Sequence, residues 1–280
     1  MTFVSVVRDS QMYDRLVRNN PNNAGAKFVV YDNSVENSTI PSRYNSFIGS
    51  FDYSNPDWFV FCHEDFQFLE PLEPLLLGLP RDSIYGVFGA KLRVPGVGLQ
   101  IDSCKDGSDM SFRGVPVKCP TSVDTVDCAC LVVHSSLVAQ YGLRFDENLT
   151  YDLYTEDFGI YAREKFGIDT KVIPVRTHHY SYGSIQPRFY SQLSYLNGKY
   201  ADASRTYATA TCHAIGRKDM LDMANKTLNS PNRVRFRKFF YRKISHSGRE
   251  TVKIFNVTVW SRKRHSFEEW HASTQGDFAK

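Results

Sequence analysis

At 280 residues the chain is near the upper limit for one hydrophobic core, which predicts one main domain with an appendage. Hydrophobic residues make up 42% and charged residues 23%, an ordinary globular balance, and no apolar run nears the ~20 residues that span a bilayer. The formal net charge of +4 is unevenly placed: residues 231–264 hold eleven Lys/Arg against one Asp/Glu, so a segment of +10 is joined to a remainder of −6.

Phe3 to Val7 and Lys27 to Tyr31 read as strands, separated by a short helix over Gln11 to Arg18 that the run Asn19 to Asn23, with Pro21, brings to an end. Met1 to Val7 carries no basic leader or small-residue cleavage site, so no signal peptide is expected. Asp32-Asn33-Ser34 is a polar turn, Arg43 to Phe51 a helix, and Asp57 to Cys62 a third strand. Trp58 to Cys62 is apolar throughout, the pattern of a strand buried on both faces of a mostly parallel sheet. Glu70 to Leu79, with Pro71 and Pro74, reads as a short helix or loop, and Ile84 to Ala90 as a strand. Gly96 to Gly114, rich in Gly, Asp and Ser, reads as a loop or small hairpin over a site.

Further on, Val126 to Val133 reads as one buried strand and Ser135 to Tyr141 as a helix stopping at Gly142. Glu156 to Lys165 is a helix ending at Gly167, followed by a strand over Thr170 to Val175. Strands alternating with helices predict an α/β layer fold. The six cysteines form no C-x-x-C pair and no zinc spacing, so all are expected to be reduced, in a cytosolic compartment.

The stretch richest in chemistry is Asp57-Trp58-Phe59-Val60-Phe61-Cys62-His63-Glu64-Asp65, an apolar strand running into three ionisable residues. Open α/β sheets bind ligands outside the carboxyl ends of their strands, where His63-Glu64-Asp65 falls. Oxygen and imidazole donors there suit a divalent cation and, through it, a diphosphate. The bland alternative is a solvated turn.

Several ordered blocks accompany this stretch. They are Val29-Val30-Tyr31-Asp32-Asn33-Ser34, a helix carrying Asn45, Val126-Asp127-Cys128-Ala129-Cys130-Leu131, Tyr141 to Glu147, Thr155-Glu156-Asp157, and His178-His179 with Gly183-Ser184 beyond. In this order they make residues 3–185 resemble nucleotide-sugar glycosyltransferases of the GT-A fold, similar to family 2, in a branch whose metal motif reads H-x-D. The resemblance implies a mixed, mostly parallel sheet flanked by helices, with a catalytic domain over 1–185 and a helical, basic extension over 186–280.

It also implies an inverting, metal-assisted transfer of a single sugar from a nucleotide-diphosphate donor, with UDP the expected carrier, to a saccharide or lipid-linked acceptor. No Q-x-x-R-W motif, the mark of processive members, is present. Asp65 is the main expected ligand of Mn²⁺ or Mg²⁺, with His63 and one of His178 and His179. Neighbours on an extended chain face opposite ways, and His179 is preferred. Asp157 is the expected base and Glu156 its neighbour that orients an acceptor hydroxyl or tunes the pKa. Val6, Arg8, Asp32, Asn45, Glu64 and Asp127 complete the expected donor site. Plain readings stand beside these: a surface arginine at Arg8, a turn-forming Asp32, a solvent-facing Glu64, and carboxylates favoured at a helix start for Glu156 and Asp157.

Residues 233–243 interleave cations with aromatics, and on a helix Phe236, Phe240 and Ile244 would share a face. Such a segment suits an anionic membrane surface, a nucleic acid, or plain packing onto the domain. Thr251 to Trp260 reads as a β-hairpin arm or an oligomer contact. The competing functions are a nucleotide-sugar hydrolase or nucleotidyltransferase, and a non-enzymatic basic adaptor.

Overall fold

β-Branched and aromatic runs form the strands that organise the chain. The computed structural model describes residues 1–103, 110–181 and 185–229, and the backbone of three strands between residues 242 and 263. Two compact units result, Met1–Leu228 and Asn229–Lys280.

The first unit opens with β1 (Thr2–Val7), α1 (Ser10–Tyr13) continuing into a π-helical turn over Asp14–Arg18, a 3-10 turn at Pro21–Asn23, and β2 (Lys27–Asp32). Then come α2 (Ile40–Ser50), β3 (Trp58–Cys62), β4 (Phe66–Phe68) and α3 (Glu73–Leu77). Short strands follow: β5 (Ile84–Gly86), β6 (Phe88–Lys91), β7 (Val94–Gly98), β8 (Gln100–Ser103), β9 (Met110–Arg113), β10 (Thr121–Ser122) and β11 (Thr125–Val126). The rest comprises β12 (Cys130–His134), α4 (Ser135–Tyr141), α5 (Tyr154–Phe166), β13 (Thr170–Val172), β14 (Thr177–His179), α6 (Pro187–Lys199), β15 (Thr206–Ala208), β16 (Ala214–Gly216) and α7 (Leu221–Leu228).

The main sheet runs β10-β13-β5-β12-β3-β1-β2. Five of its seven strands point one way, while β12 and β10 run against them. Side chains alternate across it, as a period of two requires. Phe59 and Phe61 enter one core with Tyr44, Phe47, Leu131, Val133 and Phe158, whereas Trp58, Val60 and Cys62 enter the other with Tyr13, Leu16, Phe66 and Val132. β3 is therefore buried on both faces, and each such Phe stabilises the fold by roughly 1.5–3 kcal/mol.

Local details depart from the sequence reading for physical reasons. α2 starts at Ile40 rather than Arg43, because Thr39 caps it through Ser42 N and Pro41 supplies a preset φ in the first turn. The run from Val126 to Val133 is not one strand: Val126 ends β11, β12 begins at Cys130, and Asp127 to Ala129 leave the ladder between them. The run from Ile84 to Ala90 likewise splits at Val87, with β5 in the main sheet and β6 in a three-stranded sheet β11-β6-β7.

The expected hairpin region holds β7, β8 and β9, with residues 104–109 outside the described residues. β8 and β9 join a second sheet in the order β4-β14-β8-β9. No disulfide forms among the described cysteines, and Cys104 is not one of these.

The sequence reading drew a boundary after residue 185, yet α6, β15, β16 and α7 cluster with the first unit, which runs to Leu228. In the second unit β17 (Arg242–His246), β18 (Arg249–Ile254) and β19 (Val257–Lys263) form an antiparallel sheet, with an irregularity at Val252/Lys253. Ile244 is in a strand, not on a helix, and the aromatic–basic run at 233–241 lies outside the described residues. No helix among the described residues is long and apolar enough to cross a membrane.

Candidate functional site

The parallel strands β1, β2 and β3 all deliver their carboxyl ends to one edge of the sheet. His63 and Asp65 follow β3 there. β14 pairs antiparallel with β4, placing His179 opposite Phe66, next to Asp65. Asp65 Oδ1 lies 3.3 Å from His179 Nε2 and 4.0 Å from His63 Nδ1. The three residues form a group whose ligand atoms all lie within 4.8 Å of one another.

Donors about 2.1–2.2 Å from one cation sit roughly 3–3.6 Å apart, so with a small closure at His63 this set could hold a metal ion. Burial favours the neutral form of Asp65, but the hydrogen bond from His179 and the charges of both imidazoles outweigh it and hold the carboxyl down at about 2. Burial lowers the pKa of His63, against the pull of Asp65, and so favours a neutral ring with a lone pair to give.

Two tyrosines from the turn into α5 hold His63. Tyr154 Oη bonds Nε2 at 2.8 Å and also donates to Cys128 O at 3.1 Å, while the Tyr151 ring stacks on the imidazole at 5.7 Å between centroids. Between them Leu153, fully buried, takes a left-handed φ of 61°, a strain of about 1–2 kcal/mol for a residue with a Cβ. That turn sends both rings to His63.

His178 goes the other way, as the alternation of a strand demands, and is not part of the group. It stacks on Tyr180 at 3.8 Å, and burial, with the charge of His179, pushes its pKa down to about 4.

The adjacent wall comes from the break between β11 and β12. Asp127 is half-buried and accepts from Ala129 N at 2.9 Å. Cys128 Sγ donates to Glu156 Oε2 at 3.2 Å, and Thr155 Oγ1 reaches the same oxygen at 3.0 Å. Glu156 has almost no exposure; burial, reinforced by the charge of Asp127, raises its carboxyl to about 8.

Asp157, the expected base, turns towards α6. Its Oδ1 accepts from Lys199 Nζ at 2.7 Å and from Tyr200 Oη at 2.7 Å. Burial raises its pKa, opposed by the Lys199 charge.

The remaining expected residues divide. Glu64 does not point into solvent: its Oε2 accepts from the backbone N–H of Arg8 at 2.5 Å and of Asp9 at 2.9 Å, tying β1 to the β3–β4 turn. The Arg8 guanidinium bonds Asn37 Oδ1, and Val6 is partly buried against the core. Asp32 is exposed at the end of β2, and hydrogen bonds from Ser34 lower its pKa.

Asn45 is used within the fold. Its amide donates to Phe145 O at 2.9 Å and Glu147 Oε1 at 2.8 Å and accepts from Phe145 N at 2.9 Å, which clamps α2 to the loop after α4. Tyr151, Tyr154, Lys199 and Tyr200 were not singled out from the sequence, because no local pattern marks a tyrosine or lysine that acts across elements.

No protein-family model matches the chain, and no curated protein matches it. Among solved structures the chain is similar to S. aureus TarS 1-349, described also in complex with UDP, at 11% identity over 85% of this chain and 73% of that one, with a TM-score of 0.47. It is similar to GalNAc-T7 with UDP, GalNAc and Mn²⁺ at 10% identity, over 64% of this chain and 43% of that one, with a TM-score of 0.43. The fold is a mixed, mostly parallel α/β sheet flanked by helices, with the candidate site at the carboxyl edge of its parallel strands.

Proposed function

We propose that the chain is a metal-assisted, inverting glycosyltransferase that moves one sugar from a nucleotide-diphosphate donor, UDP-linked in the simplest case, to a hydroxyl of a saccharide or lipid-linked acceptor. The observation that carries this reading is the His63–Asp65–His179 group at the carboxyl edge of β3, linked through Tyr154 and Cys128 to the buried carboxyl of Glu156.

One carboxylate and two imidazoles, which are neutral when they ligate a cation, contribute a single negative charge. They would hold Mn²⁺, or another divalent ion, with charge left over for a diphosphate, and imidazole donors favour Mn²⁺ over Mg²⁺. When bound, the cation would neutralise the diphosphate and stabilise the departing phosphate. Val6, Arg8 and Asp32, at the ends of β1 and β2, line the nucleotide end, and Glu64 holds that edge together through the Arg8 and Asp9 amides.

Glu156 accepts the proton of the acceptor hydroxyl as it attacks the anomeric carbon from the face opposite the leaving group. Its raised pKa lies close to working pH, where a general base is most effective. Cys128 and Thr155 orient it, and the charge of Asp127 helps to raise its pKa. Asp157, with its oxygen engaged by Lys199 and Tyr200, holds α6 against α5. The +10 segment at 231–264 suits an acceptor at an anionic membrane surface, reached from the cytosol.

The test is a thermal-shift panel of UDP, GDP, CDP and dTDP with and without Mn²⁺, on wild type and Asp65→Ala. Ligand at 100 times its Kd stabilises by about 2.7 kcal/mol. A shift from one nucleotide that needs Mn²⁺ and Asp65 supports the reading, and silence from all four removes it. Product analysis with the matching sugar nucleotide then separates transferred sugar from free sugar or pyrophosphate.

A further inference from the structure

The two imidazoles of the group present different nitrogens to Asp65, His63 its Nδ1 and His179 its Nε2. In each ring the other nitrogen meets a neutral side chain: Tyr154 Oη lies 2.8 Å from His63 Nε2, and Gln100 Nε2 lies 3.1 Å from His179 Nδ1. These two partners are not equivalent. A carboxamide presents a donor or an acceptor according to which way it is turned, so Gln100 is compatible with either tautomer of His179.

Tyr154 has one proton. The Cys128 carbonyl oxygen, 3.1 Å away, can only accept, so the contacts to it and to His63 are both satisfied when the hydroxyl donates to the carbonyl and accepts from Nε2–H. In that arrangement Nδ1 keeps the lone pair on the side of Asp65. A neutral imidazole binds a cation only through its bare nitrogen.

We propose that Tyr154 is a positioning residue that locks His63 in the Nε2–H tautomer and so prepares Nδ1 as a metal ligand before any cation arrives. This rests on the metal-assisted reading above. The arrangement also explains why an imidazole can stand at the start of the motif. A carboxylate there would need no tautomer chosen, whereas a histidine is a competent ligand in one tautomer and a poor one in the other. Because the outer partner is a neutral hydroxyl and not a carboxylate, the imidazole stays weakly basic, and the cation keeps more of its charge for a diphosphate.

The experiment uses the full chain, metal-free and then titrated with Mn²⁺ alone. In ¹⁵N-histidine-labelled wild type, two-bond ¹H–¹⁵N correlations should show His63 as a single Nε2–H tautomer, and Tyr154→Phe should show a mixture. By calorimetry Tyr154→Phe should weaken Mn²⁺ binding by about 10–100-fold, the usual effect of removing a group that orients a ligand. In a His63→Asp background, where no tautomer needs choosing, Tyr154→Phe should leave the Mn²⁺ Kd unchanged.

An equal loss in both backgrounds would show that Tyr154 acts through the fold at large and would overturn the proposal. So would Asp65-dependent Mn²⁺ binding that Tyr154→Phe leaves untouched, or a wild-type His63 in the Nδ1–H form. Absence of any Asp65-dependent Mn²⁺ binding in wild type would sink the metal reading itself, a result distinct from these.

Discussion

Lys199 Nζ bridges two carboxylates, 2.7 Å from Asp157 Oδ1 and 2.6 Å from Asp146 Oδ2, so one cation of α6 is shared between the start of α5 and the loop after α4. Asp157 is almost wholly buried, and Asp146 is held down at about 2, where burial, which raises its pKa, is outweighed by the Lys199 hydrogen bond. Removing the cation leaves two desolvated acids facing each other. Lys199→Met should therefore destabilise the protein by about 3–5 kcal/mol, read as a lower urea midpoint at unchanged slope. A loss under ~1 kcal/mol would show the bridge to be dispensable.

Glu156 makes a prediction with a sign. Its folded pKa, about 8, lies above the ordinary value of 4.5, and burial and Asp127 are the causes, with the Cys128 thiol also facing it. Between those values the folded state keeps a proton that the unfolded chain has released. This contribution is complete below about pH 4.5 and is lost as pH rises through about 8, with a slope of at most ~1.4 kcal/mol per unit. Glu156→Gln should flatten that decline in chemical-denaturation curves taken from pH 5 to 9. The same variant should lower kcat by roughly 10²–10⁴ and remove a rising limb of kcat/KM near pH 8. If Asp157→Asn alone does this while Glu156→Gln retains full activity, the base is Asp157.

Asn45 should behave as a clamp and not as a donor ligand. Asn45→Ala leaves the buried polar partners around Phe145 without their amide, at a cost of about 1–3 kcal/mol. Its nucleotide Kd, measured by calorimetry at a temperature where the variant is folded, should match wild type. A tenfold weaker Kd would return Asn45 to the donor site.

The neighbouring histidines should separate cleanly. His178 is buried and stacked on Tyr180, and its Nε2 has no hydrogen-bond partner among the described residues. His178→Phe keeps the ring stack and removes that unsatisfied nitrogen, so Mn²⁺ affinity should hold and the melting temperature should stay or rise. His179→Ala should weaken Mn²⁺ binding at least tenfold. The reverse order would mean that β14 presents its other face to the metal.

Much of this protein was legible in its sequence, and the legible part has one cause. Hydrophobic period and turn chemistry are local, so β1, β2, β3, α4 with its stop at Gly142 (φ 60°), and α5 with its stop at Gly167 (φ 71°) could be placed from neighbouring residues alone. The position of His63 and Asp65 at a strand end was legible for the same reason, since they follow an apolar strand directly. Alternation along an extended chain set His178 and His179 on opposite faces.

What tertiary structure decided was every relationship between elements. Pairing of β14 with β4 brought His179 to Asp65 across 114 positions of sequence. α6 claimed Asp157 through Lys199 and Tyr200 and left Glu156 facing Cys128, although the two acids are adjacent and equivalent in any local pattern. A strained Leu153 turned two tyrosines onto one imidazole, and no propensity forecasts a left-handed leucine. A side chain's partner, and with it its charge, tautomer and role, is set by whichever element packs against it, and that is information the order of residues holds only through the whole fold.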